Sequence, residues 1–329
     1  MTTENQETAH GSSPVRLAVV GVGHLGRHHA RVAASLPQLR LAGIHDHNAE
    51  RAVEVARELG LTVLSSLEAV AGEAQAAVVA TPTTSHLEIA AFLLDRGLDI
   101  LVEKPIAASL READELLSRA KAAGRIVQVG HIERYNPAVD AALSMVQAPL
   151  FVEVHRLSGF TRRSVDVDVV RDLMIHDLQI VQVLAASPVS EIRAAGLPVL
   201  TDRLDIANAR IAFEGGCVAN LTASRVSSSK VRKLRIFAPE LYVSVDMQER
   251  RVRAFRLRRG AGPPEIVPLE VPVGREEPLA VELTDFASAI ATRRPPRVPG
   301  ESGRDALALA EGVLAAIEKH RLASTGARA

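Results

Sequence analysis

Lys104 is the residue of this sequence most plainly positioned to do chemistry. It lies in Glu103-Lys104-Pro105, directly after the apolar run 99–102. An ammonium at a strand end stabilises a developing alkoxide and helps to set the acid–base balance of a site. A second segment, Asp172-Leu173-Met174-Ile175-His176-Asp177, falls in a helical pattern. Asp172 and His176 are four residues apart there, so they share a face and can act on one substrate. Histidine is the natural base for taking a hydroxyl proton while hydride leaves carbon. A third segment, Thr81-Pro82 with His86 close behind, ends the run 76–80, and Thr81 can donate to a phosphate or ribose oxygen. Each segment also has a plainer reading. Glu103 and Lys104 can form a solvated turn, His86 can be satisfied by local backbone at a helix start, and Asp172 with His176 can be a surface pair. For His86 and for the Asp172–His176 pair the residues alone leave both readings open.

What must position these residues is a nucleotide-binding frame, and its signature is Gly21-Val22-Gly23-His24-Leu25-Gly26. A lone GxGxxG is a weak signal, but here an apolar run, 15–20, precedes it and an Ala-rich helical stretch, 24–36, follows. On a strand-to-helix turn, Gly21 allows the tight turn and Gly23 lets the backbone approach a pyrophosphate. Gly26 permits close packing, and the helix N-terminus offers N–H groups to the anion. A second strand, 39–45, ends at Asp46, twenty residues beyond Gly26, where a carboxylate meets ribose hydroxyls. That acid repels a 2′-phosphate, and the next residues are His47 and Asn48 rather than Arg, so NAD is expected in preference to NADP. Asp46 as a simple helix cap is the plainer alternative. The expected cofactor-facing set is Gly21, Gly23, His24, Leu25, Gly26, Asp46, Thr81, Pro82, His86, Glu103 and Lys104.

The 329 residues, 47% of them hydrophobic, suffice for two domains with substantial cores. Lys+Arg and Asp+Glu both number 39, so no global field recruits nucleic acid or an anionic membrane. With no Trp, two Tyr and seven Phe, the chain is also poorly equipped to stack on bases. One cysteine, Cys217, excludes an internal disulfide and fits a reducing compartment, so a cytoplasmic location is expected. Residues 1–14 lack the basic and apolar regions of a signal peptide and read as a disordered tail, and no apolar stretch reaches membrane-spanning length. No metal site is expected: His28 and His29 are adjacent, and there is neither a cysteine cluster nor a His-Glu-x-x-His.

Along the chain, short apolar runs alternate with helical patterns from 15 to 130, with strands expected at 16–20, 39–45, 62–64, 76–80, 99–102 and 126–129. From 131 to 329 a helix, 169–185, precedes strand-like segments between 190 and 271. Two helices, 279–293 and 302–321, close the chain, and the last can pack back on the first domain. The fold class is therefore α/β: an N-terminal Rossmann domain with a doubly wound parallel sheet, then a C-terminal α+β domain with a large, mostly antiparallel sheet. The site belongs at the carboxyl ends of the parallel strands, facing the second domain. The basic stretches 230–235 and 250–259 read as a solvated face.

Taken together, the GxGxxG turn, Thr81-Pro82 with His86, Glu103-Lys104-Pro105 and Asp172-x-x-x-His176-Asp177 resemble the Gfo/Idh/MocA family of sugar and cyclitol oxidoreductases from Val15 to the final helix. One departure is Met174, where the family usually has Gly. The resemblance implies that Lys104 and His176 are the acid–base residues, that Asp172 assists substrate binding, and that Pro105 follows a cis peptide. It implies homodimers or homotetramers formed through the open face of the second sheet. Val129-Gly130-His131-Ile132-Glu133-Arg134-Tyr135-Asn136-Pro137 and Leu221-Thr222-Ala223-Ser224-Arg225 look like the members that oxidise C3 of UDP-N-acetylglucosamine. Their product feeds a PLP aminotransferase in lipid A or surface-glycan synthesis. Arg134, Tyr135 and Asn136, at the mouth of the crevice, would then face the sugar or diphosphate, and Arg162 and Arg163 could pair with phosphate. The rivals are a myo-inositol or free-sugar dehydrogenase and a non-catalytic NAD(H)-binding regulator. Lys104, Asp172 and His176 together argue against the regulator.

Overall fold

Five short runs, each too apolar to face water, pair side by side and all parallel. They and their crossovers are β1 (Val15–Val20), α1 (His24–Ala33), β2 (Leu39–His45), α2 (Ala49–Leu59), α3 (Leu67–Glu73), β3 (Ala76–Val79), α4 (His86–Leu94), β4 (Asp99–Glu103), α5 (Leu110–Ala123) and β5 (Val127–Gly130). The strand order is β2-β1-β3-β4-β5. The computed structural model describes residues 13–161, 167–260 and 262–326. The tail expected at 1–14 therefore lies, through residue 12, outside the described residues, as do Arg162 and Arg163. Helix boundaries follow local chemistry. Asn48 caps α2 by accepting from Arg51 N at 3.0 Å, and Gly60 ends it in the left-handed region at φ 67°. At the start of α5, Ser109 Oγ accepts from Glu112 N and Glu112 Oε2 accepts from Ala108 N, just before the cap. The strand expected at 62–64 is reduced to one bridge, Val63 to Ile44. The Gly60 cap and the Ser66 cap of α3 leave too little chain between them for a ladder.

The second half consists of α6 (Pro137–Met145), β6 (Phe151–Leu157), α7 (Ile175–Ala185), β7 (Val189–Leu197), β8 (Ile206–Phe213), β9 (Val218–Ser224), β10 (Val231–Ala238), β11 (Leu241–Asp246), β12 (Arg251–Arg258), β13 (Glu265–Leu269), α8 (Pro278–Thr292) and α9 (Gly300–Gly326). The eight strands run β13-β12-β11-β10-β6-β9-β8-β7, antiparallel except for β6 beside β9. Sequence reading missed α6 and β6, although β6 holds the middle of the sheet. Its inward residues are Val152, Val154 and a buried arginine, Arg156, which disguises the alternation.

One face of this sheet buries Ala209, Ile211, Leu221, Leu234, Ile236 and Val243 against α7 and α9. The two C-terminal helices tie the halves together. Leu283 and Phe286 of α8 pack with Leu17 and Val19 of β1. The first turns of α9 lie so close to β5 that a Cβ at Gly303 would come within 2.4 Å of Val129 Cγ2. The carboxyl ends of β4 and β5 are thereby held facing the start of α7. Among the described residues no helix is long and apolar enough to cross a membrane, and no group of three or more His, Cys, Asp or Glu side chains is arranged to hold a metal ion.

Candidate active site

The GxGxxG turn is shaped by close approaches. Gly21 sits at φ 85°, and a Cβ there would meet Ala80 O at 2.7 Å. At Gly26 it would come within 1.7 Å of Gly21 O, so the helix can close on the strand only without a side chain. Gly23 differs: the nearest atom to a Cβ would be Arg51 Nη1 at 4.0 Å, which leaves the helix N-terminus open. Gly23 is also the N-cap of α1, with no capping side chain and no acid in the first turn, so the first N–H groups are available to an anion. Gly21 and Gly23 border a cleft of about 620 Å³, also lined by His24, Leu25, Asp46, Thr81 and Pro82. This is the shape and donor set that a dinucleotide needs. Gly26→Ala should weaken NAD+ binding at least tenfold, by roughly 1.4 kcal/mol, measured by fluorescence titration of the folded variant; unchanged affinity would mean that the turn can shift freely.

Asp46 is buried beside this cleft. Its Oδ2 accepts from Val22 N at 2.8 Å and its Oδ1 from Asn48 N at 2.9 Å. The helix cap is Asn48, so Asp46 braces the glycine turn from the end of β2 instead of capping α2. Arg51, one turn further along, also lines the cleft. Sequence reading stopped at His47 and Asn48; the cap at Asn48 was the signal that α2 would swing a cation back toward Gly23.

At the neighbouring strand end, Lys104 follows β4 with a cis bond to Pro105. Its Nζ donates to the Asp172 carbonyl at 2.7 Å and lies 3.2 Å from Asp172 Oδ1. Asp172 belongs to a widened π turn, Val170–Met174, that runs into α7. Such turns recur at functional sites because they re-aim side chains. His176 follows on α7, half-buried, with its Nδ1 buried and unpartnered among the described residues. Burial, then Lys104 and Arg156, holds its pKa well below 6.5. The imidazole is therefore neutral, the form that can accept a proton.

Beneath His176 runs an ionic network with no counterpart in the sequence reading. Arg156 donates to both oxygens of Asp177, at 2.9 and 2.7 Å, and to Glu133 Oε1 at 2.8 Å, with all three residues buried. Burial opposes the guanidinium charge, and Asp177 and Glu133 more than offset it. The residue after His176 is thus anchored to the central strand of the large sheet.

Several expected site residues have other partners. The buried ring of His86 lies between Pro105 O at 2.9 Å and Thr81 O at 3.0 Å, clamping the two Pro turns together away from the cofactor cleft. Burial holds its pKa below the ordinary value against the pull of those carbonyls. Glu103 turns inward, where His29 Nε2 donates to it at 2.8 Å. Tyr135 donates to Asp285 at 2.8 Å, and Asn136 caps α6 while donating to Met247 O at 2.9 Å. Arg134 is buried, with Nε and Nη1 unpartnered among the described residues.

Glu282 of α8 is fully buried, and neither of its carboxylate oxygens has a partner among the described residues. Burial, with Glu103 and Asp285 nearby, raises its pKa well above 4.5. Folding therefore takes up a proton above that value. Stability from this group is complete below pH 4.5 and is lost as pH rises toward the folded value. Glu282→Gln should remove this slope, so its melting-point advantage over wild type should grow from about pH 5 upward, at about 1.4 kcal/mol per pH unit within the window. An advantage constant across pH would contradict a protonated Glu282.

Residues 15–131 match the model of an oxidoreductase family with an NAD-binding Rossmann fold, GFO_IDH_MocA. The chain is 39% identical to UDP-N-acetylglucosamine 3-dehydrogenase from Acidithiobacillus ferrooxidans, over 92% of this chain and 97% of that protein. The chain belongs to the Gfo/Idh/MocA oxidoreductase family. A second relative, scyllo-inositol 2-dehydrogenase (NAD(+)) from Bacillus subtilis, is 30% identical over 65% of this chain and 68% of its own length. The solved structure of the A. ferrooxidans enzyme superposes with a TM-score of 0.86, covering 93% of this chain and 98% of that one. Levoglucosan dehydrogenase in complex with NADH and levoglucosan, 18% identical, shares the fold with a TM-score of 0.82. Within this fold, the open glycine turn and Lys104 with Asp172 lie at the carboxyl edge of the parallel sheet.

Proposed function

We propose that this protein oxidises the C3 hydroxyl of UDP-N-acetylglucosamine with NAD+. The observation that carries the reading is Lys104 bonded to Asp172, one helical turn from a neutral His176, beside an open glycine turn. Identity of 39% over 92% of the chain to a UDP-N-acetylglucosamine 3-dehydrogenase supports this sugar over a cyclitol. Gly21, Gly23, Gly26, Asp46, Thr81 and Pro82 hold the cofactor. Bound there, NAD+ supplies the acceptor for the C3 hydride. His176 removes the proton from the C3 hydroxyl, Lys104 stabilises the charge developing on that oxygen, and Asp172 orients both Lys104 and the sugar. Because His176 stays neutral, the acidic limb of kcat/KM lies below pH 6.5. Asp46, buried beside the cleft with a carboxylate that would repel a 2′-phosphate, favours NAD over NADP against the attraction of Arg51. The 3-keto product is a substrate for a PLP-dependent aminotransferase.

A substrate panel tests the reading. NADH should form with UDP-N-acetylglucosamine and not with myo-inositol or free N-acetylglucosamine, and addition of an aminotransferase with glutamate should draw the reaction forward. Activity on the free sugars would move the protein to the cyclitol branch.

The outer face of the large sheet carries a ladder of Phe151, Phe237, Tyr242 and Phe255, with Phe237 39% and nearby Ile266 71% exposed. On the strands that carry it, Arg235 pairs with Glu153 and Arg258 with Glu265. An exposed apolar strip on this face suits association of copies of this chain into dimers or tetramers. Phe237→Glu should reduce the mass found by light scattering to that of the single chain, and an unaltered mass would exclude this face.

A further inference from the structure

His131 stands immediately beyond β5. Since Glu103 pairs with Gly130, it is the neighbour of Lys104 at the sheet edge. Its ring meets that of His176 edge to face, with centroids 5.8 Å apart and planes at 88°. It is 1% exposed, and neither ring nitrogen has a partner among the described residues. Burial, then Lys104, pushes its pKa down to about 3, so the ring is neutral. Packing alone does not call for an imidazole here. A phenyl ring would make the same edge-to-face contact without stranding two polar atoms, and stranded polar atoms cost stability. A residue that is costly in the fold and sits against the reaction's base is explained by what its polar edge does to that base.

We infer that His131 is a positioning residue for His176, fixing the orientation and tautomer of the catalytic imidazole; this rests on His176 being the base proposed above. Only the tautomer that carries its hydrogen on Nδ1 leaves Nε2 free to take a proton. His176 Nδ1 is the buried nitrogen, on the side away from solvent. An edge-to-face contact between two dipolar rings depends on which nitrogens bear hydrogen: an N–H directed at a π face is attractive, and a lone pair directed there is repulsive. His131 therefore distinguishes states of His176 that a hydrocarbon ring would leave mixed. The Lys104 ammonium close by works against a charged His176 and keeps the pair of rings neutral.

The test compares wild type with His131→Phe and His131→Asn. Four readouts are taken: thermal midpoint, NAD+ affinity, steady-state kinetics with UDP-N-acetylglucosamine, and the His176 tautomer by ¹⁵N NMR. His131→Phe should melt about 2–4 °C higher and bind NAD+ with wild-type affinity. It should lose about tenfold or more in kcat with a small change in KM and give His176 signals from both tautomers. His131→Asn, which restores a polar edge, should recover part of the loss. Wild-type kcat in His131→Phe, or an unchanged single tautomer of His176, would overturn the inference. If wild type fails to oxidise the UDP-sugar, the proposed function falls, and the tautomer measurement, which needs no substrate, still decides the role of His131.

Discussion

Lys104→Met should lower kcat by about a thousandfold while leaving NAD+ affinity within about twofold. Methionine keeps much of the length and volume of the lysine stem, so the cis turn at Pro105 and the packing around it survive. What disappears is the one side-chain cation bonded to Asp172 among the described residues. The alkoxide formed at C3 then develops beside a carboxylate with no ammonium to stabilise it, so the loss belongs in kcat. The cofactor cleft is built from the glycine turn, Asp46 and the Thr81-Pro82 turn, none of which relies on the ammonium. Stopped-flow absorbance at 340 nm separates the two effects. A Lys104→Met enzyme with near wild-type kcat would remove Lys104 from the reaction.

Arg156→Leu should cost about 3–5 kcal/mol of stability. The guanidinium, 3% exposed, is bonded to both Asp177 and Glu133, which are 2% and 7% exposed. Leucine would fill much of the space but strand Asp177 and leave Glu133 with only the more exposed Arg232, 3.2 Å away, as a cationic partner, and uncompensated buried charge is the costly outcome. Because Asp177 follows His176, the fraction that folds should also lose kcat with UDP-N-acetylglucosamine. Urea denaturation measures the stability change. A loss below about 1 kcal/mol would mean that solvent reaches the network, as at an exposed pair.

The parts of the site legible in the sequence are those whose chemistry is local. Gly21 and Gly26 are required by contacts with neighbouring backbone, at Ala80 and at Gly21 itself, and the strand-turn-helix order announces them. Lys104 stood out because it ends an apolar run, whereas the spacing of Asp172 and His176 left a surface pair equally open until the structure bonded Lys104 to Asp172. Arg156 was not: on a strand alternating inward Val152, Val154 and Arg156, a charged residue in the third inward position looks like the solvent face. Its partners, Glu133 and Asp177, lie on separate elements, and only the tertiary fold brings them together. Tyr135 and Asn136 failed for a similar reason. Sequence set them at the mouth of the crevice, but a short turn rotates them onto Asp285 and Met247, more than a hundred residues away along the chain. His86 was evenly balanced between cofactor and backbone, and its ring is engaged by two carbonyls of the protein itself. His131 carried no local signal beyond its position after β5, because its meaning lies in the orthogonal contact with a ring on α7.

The most direct test follows the hydrogen at C3. UDP-N-acetylglucosamine deuterated at C3 and unlabelled NAD+ are mixed with the enzyme for a single turnover, and the reduced cofactor is examined by mass spectrometry. If His176 and Lys104 act on the C3 hydroxyl, the deuterium appears on the reduced nicotinamide and the transfer rate falls relative to unlabelled sugar. Reduced cofactor of unlabelled mass, with deuterium retained in the sugar, would contradict oxidation at C3.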